Sequence, residues 1–149
     1  IKSNQGGWHS NSHFNLNYEV NPLVEKIKEA LVSIKEEASM EFESFGLSMW
    51  ANVNHPKTLN SAHVHSNSHF SGVYYLKVPE GSGNFRFFNP KQYYTNFSKS
   101  GMYSNSDIEI TPIEGHLILF RSDMLHDVLL NNSNEDRVSI SFNILLNKK

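Results

Sequence analysis

From residue 137 to residue 144 the side chains alternate in character without a break. Val138, Ile140, Phe142 and Ile144 fall on one face, and Arg137, Ser139, Ser141 and Asn143 on the other. Only an extended backbone, whose successive side chains point to opposite sides, gives that period. Similar short runs rich in β-branched and aromatic residues occupy 47–54, 62–66, 71–78, 85–88, 108–110, 117–120 and 128–130. Turn formers separate them: His55-Pro56-Lys57, Pro79 to Gly83, Asn89-Pro90, Pro112 to Gly115 and Asn131 to Asn134. The pattern predicts a mainly β fold, an antiparallel barrel or double-sheet jelly roll, at 47–146.

One helix precedes it. Asn21-Pro22 is a start signal, Asn as N-cap and Pro in the first turn. Leu23, Val24, Ile27, Leu31 and Ile34 form a stripe of helical spacing, with Glu25, Lys26, Lys28, Glu29, Lys35, Glu36 and Glu37 on the wet face. The spacing predicts a bracing helix over 21–40. Residues 1–20 are polar, Gly/Asn/Ser-rich and dotted with Trp8, His9, His13, Phe14 and Tyr18, which reads as an extended arm laid over the domain. Gly6-Gly7 argues against a helix that would pair His9 with His13. Residues 91–107, with Tyr93, Tyr94, Phe97 and Tyr103, form a long loop of the kind that often carries function. At 149 residues the chain reads as one domain.

Composition narrows the chemistry. With 13 basic and 15 acidic residues, net charge -2, no basic surplus signals nucleic acid and no acidic tail signals a disordered partner segment. The absence of cysteine removes disulfides, thiolate metal sites and cysteine nucleophiles, and fits a reducing compartment. No apolar run reaches the roughly 20 residues that span a bilayer. The opening Ile1-Lys-Ser-Asn has neither an initiator Met nor an apolar signal core. Neither a phosphate-cradling Gly loop nor a Gly-x-Ser-x-Gly elbow occurs.

What remains is histidine. His63 and His65, two apart in an extended run, share a face and can grip one metal ion. A third imidazole, His126, lies between later strands, and Asp123 and Asp127 flank it as surface or orienting groups. Eleven residues on stands Arg137, with Ser139 on its face. An arginine on such a strand needs an anion, and a carboxylate-bearing small molecule would satisfy it bidentately. Trp50, Asn52 and Asn54, on the run before the histidines, are candidate pocket residues.

His63-Val-His65-Ser-Asn67-Ser68, then Ser71-Gly72-Val-Tyr74-Tyr75, Gly115 to Phe120, His126 and Arg137-Val-Ser139 together resemble the Fe(II)- and 2-oxoglutarate-dependent oxygenases. The likeness is to a bacterial and phage branch of that superfamily, and it covers roughly residues 48–145. It implies a double-stranded β-helix, a cupin-like jelly roll. It also implies Fe(II), 2-oxoglutarate and O2 as reaction partners, with decarboxylation to succinate coupled to hydroxylation of an unidentified substrate. The setting it implies is the cytoplasm of a bacterial or phage-infected host cell. Carried over by position, Arg137 and Ser139 would hold the far carboxylate of 2-oxoglutarate, with Tyr75 as a further contact. His63, His65 and His126 would hold iron. His65 then stands where the superfamily has a carboxylate; if His65 is instead the first ligand, Asn67 takes that place. His69 is the last-ranked donor. The competing readings are a non-catalytic jelly-roll binding module and a cupin-like zinc or manganese protein.

Overall fold

The structure, a computed structural model, describes residues 3–13, 18–90 and 107–148. Much of the loop anticipated at 91–107 lies outside them. A single 3-10 turn, Tyr18–Val20, leads into α1, Asn21–Glu37. Val20 rather than Asn21 is the N-cap, without a side-chain capping bond, because the chain enters through that turn. Pro22 occupies the first turn as expected. The helix stops short of residue 40. Ala38 N–H still reaches the Ile34 carbonyl at 2.9 Å, but Ser39 is in the left-handed region at φ 48° and cannot continue the helix. No helix among the described residues is long and apolar enough to cross a membrane.

The strands are β1 Asn4–Gln5, β2 Trp8–His9, β3 Ser44–Asn54, β4 Leu59–His63, β5 Phe70–Lys77, β6 Phe85–Phe87, β7 Ile108–Ile110, β8 Leu117–Arg121, β9 His126–Val128 and β10 Arg137–Asn147. They form two five-stranded sheets. One runs β1-β4-β9-β6-β7, the other β2-β3-β10-β5-β8, and all strand pairings are antiparallel. Every sequential step from β3 to β4 and from β4 to β5 changes sheet, which is the winding of a jelly roll.

Two boundaries shift in ways that matter. The strand expected at 62–66 is β4, which ends at His63. The strand expected at 128–130 is β9, which begins at His126. Leu59-Asn-Ser-Ala-His has no hydrophobic period of its own. Its extension is imposed by β1 on one side and β9 on the other.

The alternation in β10 has two different causes, one per face. Ile140, Phe142 and Ile144 join Met49, Phe70, Ile27 and Leu31 in a core between sheet and helix. Leu23, Val24 and Ile34 border it, so the helical stripe is the outer cover of this sheet. Arg137, Ser139 and Ser141 line a cavity between the sheets. A second core of Val73, Tyr75, Phe85, Phe87 and Phe120 closes the space between the sheets beside it. Gly72 is required where β5 crosses beneath Phe142: a Cβ there would come within 2.2 Å of the Phe142 ring and 2.5 Å of the Ile118 carbonyl oxygen.

The arm is two short strands, not loose chain. β1 adds to β4 and β2 adds to β3, so the segment ties the two sheets together at one end. His13 makes an isolated bridge to Met49.

Candidate metal centre

β4 and β9 are neighbours, and their register sets His63 directly opposite His126. The two ring centroids are 4.3 Å apart. His65 lies beyond the end of β4, in the turn toward β5. Its position is fixed by its N–H donating to the Ser122 carbonyl at 2.9 Å, while Ser122 N–H donates to His69 at 3.1 Å. The Ser71 and Ser122 hydroxyls meet at 2.7 Å, so the turn is tied to β5 and to the chain after β8. The result places the His65 ring 4.9 Å from His63 and 5.3 Å from His126. One ring nitrogen from each of the three lies within 4.8 Å of the others.

The donor chemistry suits a cation. His63 Nδ1 and His126 Nδ1 each lie 2.7 Å from a backbone carbonyl, of Ser61 and Met124 respectively. A carbonyl only accepts, so both Nδ1 atoms carry the proton and both Nε2 lone pairs are free. Burial pushes the pKa of His65 and of His126 down to about 4, helped for His65 by its imidazole neighbours, and burial also lowers that of His63. Phe85, Phe87 and Phe120 surround His126, with the Phe85 ring stacked at 5.3 Å. The rings are therefore neutral at pH 7, the form that ligates metal. Three neutral imidazoles could hold iron, zinc, copper or nickel, and are a poor set for magnesium.

Among the described residues no carboxylate joins them. Asp127 follows His126 but faces Arg86 across the β9–β6 pair, which grips it through two bonds of 3.0 and 2.5 Å. Asp123 pairs with Arg121 at the surface. Asn67 is exposed in the turn past His65, and His69 is exposed with its Nδ1 accepting the Leu146 N–H at 3.0 Å. Neither belongs to the cluster.

The three histidines open into a small cavity that Arg137, Ser139 and Tyr75 also line. Register builds this wall in rows: Trp50, Ser141 and Val73 lie side by side on β3, β10 and β5, and the next row is Asn52, Ser139 and Tyr75. One step further, Arg137 is opposite Asn54. Arg137 is 1% exposed. Its Nη1 donates to the carbonyls of Ser82 and Gly83 at 2.6 and 3.1 Å, but its Nη2 is buried without a partner among the described residues. Gly83, at φ 92°, lets that turn pack against the 129–130 backbone, since a Cβ there would come within 2.2 Å of the Leu129 carbonyl oxygen. The Tyr75 hydroxyl is also buried without a partner, and burial raises its pKa. Burial pulls the Arg137 pKa down to about 10, which leaves it cationic at neutral pH. A buried cation and a buried phenol with open donors, in one cavity with three imidazoles that could hold a metal, have the chemistry to receive an anion.

Several of these partners carry no sequence signal. The Ser82-Gly83 carbonyls reach Arg137 from a turn, and Ser3 and Asn60 enter the cavity because the arm pairs with β4. Phe87 is opposite His126 by register, with Phe85 two residues along the same strand, and Phe120 reaches the ring from β8 of the other sheet. Asp127, in contrast, was open to a pairing argument once Arg86 is placed on a neighbouring strand.

Residues 48–143 match a family model described as "Putative 2OG-Fe(II) oxygenase". No curated protein sequence matches the chain. Among solved structures, a Pseudomonas putida prolyl-4-hydroxylase superposes with a TM-score of 0.66 at 16% identity, covering 100% of this chain and 74% of its own. A viral collagen prolyl hydroxylase from Paramecium bursaria Chlorella virus-1, in complex with 2-oxoglutarate, gives 0.69 at 17% identity, covering 96% and 80%. The non-heme α-ketoglutarate-dependent epimerase SnoN of nogalamycin biosynthesis gives 0.68 at 11%, covering 97% and 64%. These likenesses establish the double-stranded β-helix fold, and the family match sets aside the non-catalytic binding module. The chain belongs to the 2OG-Fe(II) oxygenase family, enzymes that use Fe(II) and 2-oxoglutarate.

Proposed function

We propose that residues 1–149 form one oxygenase domain of hydroxylase type, with arm, bracing helix and barrel as its parts. In it, His63, His65 and His126 hold the iron. Arg137 binds the far carboxylate of 2-oxoglutarate, and Tyr75 and Ser139 add hydroxyl contacts. The single observation that carries this assignment is the unpartnered Nη2 of Arg137, buried in the same cavity as three free imidazole nitrogens. An acceptor-rich dianion answers both the open guanidinium and the open phenol.

Iron with 2-oxoglutarate and O2 supplies the oxidising power that is coupled to decarboxylation. The chain's own residues do the rest. Neutral His63, His65 and His126 leave coordination positions free for the co-substrate. Arg137 fixes its orientation through a guanidinium already held in place by the Ser82 and Gly83 carbonyls. Phe85, Phe120 and Val73 keep water from the reacting end. His65 in place of a carboxylate leaves the centre one unit more positive than the superfamily's usual set. The lack of cysteine accords with a cytoplasmic setting.

The test is anaerobic titration with Fe(II) and then 2-oxoglutarate, following the visible charge-transfer band of the chelate. The wild-type chain should give the band, His126→Ala should abolish it, and Arg137→Met should weaken it at fixed 2-oxoglutarate. A band that survives His126→Ala would remove the three-histidine assignment.

A further inference from the structure

Outside the three histidines, on the side of the arm, an open groove runs along β4. Ser3, Gln5 and His9 of the arm line it with Trp50, Ser61 and Val64, and it shares His63 and His65 with the metal centre. Whatever lies in this groove is adjacent to the ligand cluster. Among the described residues no lysine, arginine, aspartate or glutamate lines it. The inner cavity has one such residue, Arg137, at the end assigned to the co-substrate.

The groove has an aromatic wall. The His9 ring stacks on Trp50, centroids 5.7 Å apart and planes within 18°. Trp50 in turn tilts against His65 at 6.0 Å. This wall is built, not incidental. His9 is held in register opposite Asn52, Ser10 N–H donates to Ala51 at 3.0 Å, and Ala51 N–H donates to the Ser10 hydroxyl at 2.9 Å. Gly7 makes the crossing between sheets possible, because a Cβ there would meet the Val53 carbonyl oxygen at 2.3 Å.

We infer that this groove is the substrate site and that it takes an uncharged, polar, ring-bearing group. The inference rests on the oxygenase reading above and deepens it. Flat rings stack on aromatic walls, and hydroxyl and amide groups answer Ser3 and Ser61. A charged group would find no counter-charge here. A cation would also be repelled by a bound metal dication, and an anion would be drawn onto the metal in place of the co-substrate. The same chemistry occurs in a capped amino-acid ring, a neutral sugar and a nucleoside.

The experiment uses the full chain with Fe(II) and 2-oxoglutarate under anaerobic conditions. Trp8, which is 53% exposed, is replaced by Phe, so the remaining indole fluorescence reports on Trp50. Three matched pairs are titrated: N-acetylprolinamide against N-acetylproline, methyl glucoside against methyl glucuronide, and uridine against uridine monophosphate. At least one neutral member should saturate the signal, with its charged partner tenfold or more weaker; which pair responds identifies the source. His9→Ala should weaken that binding at least fivefold, and Ser61→Lys should turn the preference toward the anion. Saturation by no neutral member, equal binding of charged partners, or indifference to His9→Ala would each overturn the inference. If the charge-transfer band forms but no neutral ring binds, the groove assignment fails while the oxygenase assignment stands. If a ring binds while the band never forms, the oxygenase assignment fails and the groove is not its substrate site.

Discussion

Arg137 shows how much one side chain can imply. Half of its guanidinium is committed to the Ser82-Gly83 turn and half is open. A lysine would place a single point charge there, without the planar fork. Arg137→Lys should therefore weaken 2-oxoglutarate binding, and Arg137→Met should weaken it further, by about 2–5 kcal/mol on the scale of a lost buried charge pair. Metal affinity should not change in either. Calorimetric titration of each ligand separately checks this, and an unchanged 2-oxoglutarate affinity in Arg137→Met would remove the residue from the site. The histidines give a prediction of opposite character. In the metal-free protein His65 and His126 take up protons only near pH 4, whereas in the unfolded chain they do so near their ordinary pKa of 6.5. The unfolded state thus binds more protons between those values, so stability falls as pH drops from about 6.5 toward 4. Melting curves across that window should show the loss, and His126→Phe should flatten it. Arg137 could be picked out from the alternation of its strand and His126 from its place between later strands, whereas the same-face strand spacing expected of His63 and His65 does not hold, because β4 ends at His63. The second half of each story, the Met124 carbonyl on one ring and the Ser82-Gly83 carbonyls on the guanidinium, is backbone chemistry, which residue type does not encode.

At the scale of elements, β10 is the strand on which the sheet is organised, and its two faces do unrelated work. One is pressed by α1, the other lines the cavity. Leu31, 1% exposed beneath the helix, belongs only to the first. Leu31→Ala should cost about 2–5 kcal/mol of stability, the range for emptying a large aliphatic site. It should leave metal stoichiometry at one per chain, because no ligand touches the helix. Denaturant melts and metal titration of the same variant test both halves of that statement, and loss of the metal without loss of stability would contradict it. The helix and β10 could be read from the sequence since each carries a strong period. β4 could not be bounded: its Leu59-Asn-Ser-Ala-His has no period, and it is extended because β1 and β9 hold it. The start of β9 at His126 has the same cause, its pairing with His63 and Phe87. The arm, expected to be extended, adds strands to both sheets, a role that depends on Gly7 fitting against Val53 and that composition alone does not reveal.

Across the whole molecule, the candidate ligands are divided between the sheets. His63 and His126 sit on β4 and β9 of one sheet. Arg137, Ser139 and Tyr75 sit on β10 and β5 of the other. A metal held by the three histidines would tie together β4, β9 and the turn that carries His65. A co-substrate alone has Arg137 and Tyr75 but nothing firm to grip on the opposite sheet. Both together span the cavity and join the sheets across it. The two bindings must therefore help each other, and by linkage each must raise the other's affinity by the same factor. We expect 2-oxoglutarate to bind at least fivefold tighter with metal present, a coupling of about 1 kcal/mol or more. In thermal melts the shift with both ligands should exceed the sum of the separate shifts, as mass action on the native state requires. Substituting an inert divalent ion such as zinc keeps turnover out of the measurement. His126→Ala, which removes the metal from the first sheet, should abolish the excess while leaving the weak shift from 2-oxoglutarate alone. Strictly additive shifts in the wild-type chain would mean that the two ligands do not meet in this cavity, and would separate the arginine from the histidines as parts of one site.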